Sequence, residues 1–208
     1  MKFNVIAISR TLGAGGEDLG ATIAKELGFR YVDGEIVDRA AVQAGVSTTE
    51  VARAEARKGL LARILENLAK SGTGSLAAGG MPEAAMIDIN TPSYEEIIID
   101  VIRETAAQGK VVIVAHGASI PLAGRPDLLR VMVTASRDVR ASRIHAESSE
   151  SLAQALKDID DSDKSRADYF RRFYHVDHEQ STHYDLVFNT DVLDVSSAAG
   201  LILALAGK

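Results

Sequence analysis

Apolar runs alternate along the chain with segments of helical periodicity. FNVIAIS at 3–9 is almost continuously apolar and predicts a strand buried on both faces. Leu19, Ile23 and Leu27 recur every four residues and predict one face of a helix over 16–27, with Gly28 as its stop. A short strand is expected from Arg30 to Asp33. Ser47 with Glu50 three residues on is a capping box and opens a long helix over 48–70. SGTGSLAAGG at 71–80 reads as a flexible Gly/Ser loop. A second capping box, Ser93 with Glu96, opens a helix to about 107. KVVIVA (110–115) and LRVMVTA (129–135) are apolar strands, and 136–147 and about 150–174 are charged amphipathic helices. DLVFNT (185–190) predicts a last strand, followed by an apolar helix over about 195–206.

Strands alternating with helices predict an α/β fold, a parallel sheet with helices on both faces. The segment from about 45 to 92 carries no strand pattern and suggests a helical insertion. A length of 208 residues suits one domain with a mobile part. With 46% apolar and 25% charged residues, a disordered or fibrous chain is excluded as the main description. The absence of Cys removes thiolate catalysis, iron–sulfur clusters and Cys-based zinc sites. A net charge of −6 gives no reason to expect a nucleic-acid polymer as partner. The opening MKFNVIAISRT is too soon interrupted for a signal peptide, and no apolar stretch is long enough to span a membrane. A cytoplasmic protein is the expectation.

The chemistry begins at 9–18, S-R-T-L-G-A-G-G-E-D, between the first strand and the first helix. Gly13, Gly15 and Gly16 let the backbone curl so that successive N–H groups converge, and such a nest at a helix N-terminus suits a phosphate. The alternative is a strand–helix turn eased by glycine, with no ligand. The phosphate-loop template G-x-x-x-x-G-K-[ST] fits only in shape. With its second Gly at Gly15, Arg10 stands at the first Gly, Gly16 at the Lys and Glu17 at the Ser/Thr. The dinucleotide pattern G-x-G-x-x-G fails at Asp18.

The run I-S-R-T-L-G-A-G-G-E-D-L-G through Y-V-D-G-E-I-V resembles the opening of the cytidylate kinase-like family of P-loop proteins. V-V-I-V-A-H-G-A, L-L-R-V-M-V-T-A, D-K-S-R-A-D-Y-F and Y-D-L-V-F-N-T resemble it further along, so the likeness extends from 4 to about 204. It implies a P-loop NTPase-type three-layer fold. Its parts would be a central parallel sheet of about five strands, an acceptor-binding insertion at about 45–92 and a lid at about 150–183. It also implies Mg²⁺, ATP as phosphoryl donor and a small phosphorylated acceptor, with CMP or dCMP first. Catalysis in such enzymes is mainly positioning and charge neutralisation.

Carried over by position, Gly13, Ala14, Gly15, Gly16, Glu17 and Asp18 match the loop that holds the ATP phosphates. Arg10 is the nearest cation and partly replaces the missing Lys, unless it is a surface Arg ending a strand. Glu17 could ligate Mg²⁺, or simply suit a helix N-terminus. Asp33 and Arg39 match the acceptor's ribose and phosphate contacts; a helix cap and a solvated helix residue are the plain alternatives. His116 stands where relatives carry Arg or Asp and is an acceptor-side candidate or a packed neutral His. Asp163 and Arg166 match the lid's D-x-x-R, and Arg171 and Arg172 lie one to two turns on. These lid arginines, with Arg10, are the catalytic candidates, against the reading of a solvated charged face. Arg140 and Arg143 precede the lid and could border the adenine.

His175, His178 and His183 form the one His cluster, for which a structural role is expected over a metal. The helix at 48–70 and the terminal helix could each serve a homodimer or the core. Two readings follow: a nucleoside monophosphate kinase, or a nucleotide-binding sensor or partner module on the same fold. The missing Lys and Ser/Thr favour the second.

Overall fold

A computed structural model of the protein describes residues 2–44, 94–115, 117–148 and 150–207. The chain divides into two compact units, 1–36 with 99–208, and 37–98. The candidate site described below lies in the first. The expected helix at 48–70, the loop at 71–80 and the insertion at 45–92 lie outside the described residues, as does His116.

In chain order the elements are β1 (Val5–Arg10), α1 (Gly16–Leu27), β2 (Arg30–Val32), α2 (Glu35–Ala44), α3 (Tyr94–Ala107), β3 (Val111–Val114) and β4 (Leu128–Thr134). Then come α4 (Arg137–Glu147), α5 (Leu152–Tyr174), a 3₁₀ turn (Ser181–His183), β5 (Leu186–Asn189) and α6 (Val195–Ala206). The sheet is five-stranded and parallel throughout, in the order β2-β3-β1-β4-β5. Ile6 registers with Val112 on one side and with Leu129 on the other. β2 takes one edge, β3 fills the place between it and β1, and β4 and β5 then extend the sheet on the other side of β1. The carboxyl end of β1 is therefore the switch point, where α/β sheets bind ligands.

β1 is unalternating because both its faces are covered: Val5, Ile6, Ala7 and Ile8 are each at most 1% exposed. One face, carrying Ile6, Ile8, Val112, Val114 and Val131, packs on Leu19 and Ile23 of α1 and on Ala198 and Ile202 of α6. Each buried Ile or Leu contributes roughly 1.5–3 kcal/mol. An exposed ion pair contributes about 1 kcal/mol or less. Apolar burial, not charge, fixes α1 on the sheet. Gly28 ends α1 in the left-handed region at φ 66°, and Phe29 donates back to the Ala24 carbonyl at 2.8 Å. α2 is a helix the sequence pattern does not announce. Among its described side chains, Ile36 and Ala40 are buried four residues apart. Among the described residues no helix is long and apolar enough to cross a membrane.

Candidate phosphate-binding site

The turn from β1 into α1 is built by glycines in the left-handed region, Gly13 at φ 77° and Gly15 at φ 82°. The first helical bond of α1 runs from the Leu19 amide to the Gly15 carbonyl at 3.1 Å. The amides of Gly16, Glu17 and Asp18 therefore precede the ladder and are open to an acceptor.

The carbonyls of this turn are occupied from outside. Arg140 Nη1 donates to the Leu12 carbonyl at 3.3 Å, and Arg143 Nη1 to that of Gly13 at 3.3 Å. The Thr190 hydroxyl donates to the Ala14 carbonyl at 2.9 Å. With three successive carbonyls held on one side, the turn keeps the amides that follow available as a cradle for an anion. Arg140 and Arg143, expected on the adenine side, both reach the loop's backbone.

These supports are themselves held. Arg140 is 5% exposed and forms a two-pronged pair with Asp163 of α5, at 3.0 and 2.6 Å. Arg143 binds both the Thr190 hydroxyl, at 3.0 Å, and the Thr190 carbonyl. Thr190, 2% exposed, continues β5 by donating its amide to the Thr134 carbonyl at 2.8 Å. Asp191 caps the start of α4 by accepting from the Ser136 amide at 2.7 Å, and that bond holds its carboxyl below the ordinary value.

Arg166, on α5, reaches the carboxyl end of β1. It donates to the Ser9 hydroxyl at 2.8 Å and to the Arg10 carbonyl at 2.9 Å, and it pairs with both oxygens of Glu179 at 2.9 and 2.6 Å. Its guanidinium carbon stands 4.7 Å from the centre of the Phe170 ring. Arg171 pairs with Asp168 at 3.2 Å and is exposed, while Arg172 lies over Phe173 at 5.7 Å. Beside the loop a cavity of about 290 Å³ is lined by Thr11, Arg166, Phe170, Val176 and His178 among others, the small end of the range for ligand pockets.

On the other flank, Arg10 Nε stands 2.5 Å from Glu17 Oε1, an ion pair without the angle of a hydrogen bond. Tyr31, the middle residue of β2, has its phenol pushed upward by burial and then by the neighbouring Asp33 and Glu17 carboxylates, so it is a neutral donor at ordinary pH. Asp33 is half-buried, and its carbonyl accepts the Ile36 amide that opens α2. Arg39 lies on α2 within the second unit. The neighbours of His116 have positive φ: Ala115 at 72° and Gly117 at 58°. Among the described residues no group of three or more His, Cys, Asp or Glu could hold a metal, the His175, His178 and His183 segment included.

The structure brings the glycine loop, Glu17 and Arg10 together. Thr190, Ser9 and the pairing of Glu179 with Arg166 are additions that sequence reasoning did not make. A Thr closing an apolar strand is a weak signal, and nothing local in the sequence links Glu179 to Arg166 thirteen residues earlier.

The sequence model of the cytidylate kinase-like family matches residues 5–192. A cytidylate kinase of Methanothrix thermoacetophila is 25% identical over 201 residues, 96% of either chain. Among solved structures, an uncharacterized protein from Eubacterium ventriosum superposes with a TM-score of 0.65 at 18% identity, over 97% of this chain and 96% of that one. A shikimate kinase from Bacteroides thetaiotaomicron gives 0.54 at 16% identity over 98% of both. The fold is that of the P-loop kinases, and the chain belongs to the cytidylate kinase-like family.

Proposed function

We propose that this protein is an ATP-dependent kinase that moves the γ-phosphoryl of Mg–ATP to a nucleoside monophosphate, CMP or dCMP first. The observation that supports it most is the braced glycine loop. Its carbonyls are held by Arg140, Arg143 and Thr190, and the first amides of α1 are left for an anion. Gly13, Ala14, Gly15, Gly16, Glu17 and Asp18 bind the donor's phosphates through their backbone amides and the positive end of the helix. An oxygen of the acceptor's phosphate attacks the γ-phosphorus. The bond from that phosphorus to the β,γ-bridging oxygen breaks, and ADP leaves with the electron pair.

The residues fit a magnesium site of the usual sort. Glu17 and Asp18 are hard oxygen donors in the first turn of α1, and Mg²⁺ bound there with the nucleotide would neutralise phosphate charge. α5 and the turn after it act as the lid, with Arg166, Arg171 and Arg172 supplying its positive charge. Glu179 holds Arg166 against the end of β1. Asp33, Arg39 and His116 serve the acceptor.

A nucleotide-binding protein without transferase activity is the second reading. It is favoured by Gly16 and Glu17 in place of Lys and Ser/Thr. The experiment is to incubate the protein with Mg–ATP and a panel of monophosphates and to quantify ADP and the new diphosphate. A diphosphate formed from one pyrimidine monophosphate, with equal ADP, is expected. Binding of ATP with no diphosphate from any acceptor rejects the kinase in favour of the second reading.

A further inference from the structure

We infer that this loop has exchanged two residues of the phosphate-loop pattern: Arg10, on the strand, supplies the cation for the bound phosphates, and Gly16 is glycine to make room for it. The inference rests on the kinase reading above and names the group that replaces the loop's Lys.

The steric half of the exchange is direct. Gly13 and Gly15 have positive φ, which explains their identity, but Gly16 does not; it has ordinary helical backbone. Its reason for being glycine is space. A Cβ there would stand 2.4 Å from Arg10 Cβ and 2.7 Å from Arg10 Cγ, inside any tolerable contact. Those are the root atoms of the Arg10 side chain, which cannot swing away as a flexible tip could. Strand pairing fixes the root further. Arg10 is the last residue of β1, in register with Val133, and its carbonyl accepts from Arg166 at 2.9 Å. A side chain at 16 would force the one at 10, or the backbone beneath it, to shift.

The pattern G-x-x-x-x-G-K-[ST] places Gly where this chain has Arg10 and Lys where it has Gly16. Size and charge have thus changed places between two positions whose side chains compete for one volume. The Arg10 side chain crosses the first turn of α1 and reaches Glu17, the residue after the vacated Lys position, with Nε 2.5 Å from Oε1. Arg10 is one quarter exposed and Glu17 about two fifths, so both side chains are partly open to solvent, while Arg10 Nε itself is buried. A guanidinium there can take two phosphate oxygens at once, where an ammonium acts as a point charge. The Glu17 carboxylate occupies the guanidinium until phosphate oxygens replace or share it.

The test uses the full chain with four sequences: wild type, Arg10→Gly, Gly16→Lys and the double variant Arg10→Gly/Gly16→Lys. Mg–ATP and adenosine are titrated by calorimetry, and melting temperature is followed. Arg10→Gly is expected to weaken Mg–ATP by about 10- to 100-fold, the scale of a lost charge-assisted contact, and to leave adenosine unchanged. Gly16→Lys alone is expected to lower the melting temperature. The double variant, which restores both residues of the pattern, is expected to melt above Gly16→Lys and to bind Mg–ATP more tightly than Arg10→Gly. If Arg10→Gly binds Mg–ATP as wild type does, the cation assignment falls, and the kinase reading stands or falls on turnover. If Gly16→Lys melts with wild type, the spatial exchange falls. Wild-type protein that binds no nucleoside triphosphate overturns the kinase reading itself.

Discussion

Glycines in this chain do different work at the same backbone angle, and single substitutions separate the contributions. Gly13 and Gly28 both sit in the left-handed region, at φ 77° and 66°. A Cβ on Gly28 would meet nothing within 4 Å, whereas one on Gly13 would stand 3.0 Å from the Arg140 carbonyl and 3.2 Å from Arg140 Cβ. Gly28→Ala therefore costs only the backbone term, about 1–2 kcal/mol. Gly13→Ala adds the displacement of the loop from α4, and its loss in urea unfolding is expected to exceed that of Gly28→Ala by about 1 kcal/mol or more. Equal losses would mean that the loop does not bear on α4 as closely as the geometry states. The glycines were legible in the sequence because left-handed turns and tight approaches demand that residue. Their supports were not. Arg140 and Arg143 look like any cations on an amphipathic helix, and only the fold reveals that they end on the carbonyls of Leu12 and Gly13.

Strand β5 is the outermost on its side and is tied to β4 at its start by one residue. Asp185 accepts from the Arg130 backbone amide at 2.9 Å and from its guanidinium at 3.2 and 2.7 Å, while the Asp185 amide donates to the Arg130 carbonyl at 2.8 Å. The Arg130 guanidinium and amide hold the Asp185 carboxyl below its ordinary 3.8. Because the folded value lies below the unfolded one, the unfolded chain binds the proton more readily, and this contribution is complete above about pH 5 and fades as the pH drops through the folded value. Asp185 is 38% exposed at its side chain, so solvent screening keeps the contribution to about 1 kcal/mol or less. Asp185→Asn is expected to lie below wild type in unfolding free energy at about pH 7 and to converge with it near pH 3. A gap that widens on acidification would contradict the pairing. At this scale the sequence was informative where burial is one-sided in period or complete on both faces, as in β1, β3, β4 and α1. It was silent at α2, which the apolar pattern does not announce.

Taken whole, the site exists only in the folded chain, and that determines how a ligand must act on stability. Thr190 and Ala14, joined by one hydrogen bond, are 176 residues apart in sequence, and Arg166 and Arg10 are 156 apart. A parallel sheet could be expected from alternating strands and helices, but neither its strand order nor the pairing of particular side chains across it. An unfolded chain offers no such cradle, so a ligand of the loop binds the native state alone and stabilises it by the full linkage term. At 100 times its dissociation constant, Mg–ATP contributes about 2.7 kcal/mol. For a chain of 208 residues that corresponds to a rise in melting temperature of roughly 5–10 °C. Inorganic tripolyphosphate with Mg²⁺ should also raise it, because the backbone amides and Arg10 address phosphate rather than base. Adenosine tested alone separates the two ends of the nucleotide. If it raised the melting temperature as much as Mg–ATP while tripolyphosphate had no effect, the glycine loop would not be where the nucleotide's phosphates rest.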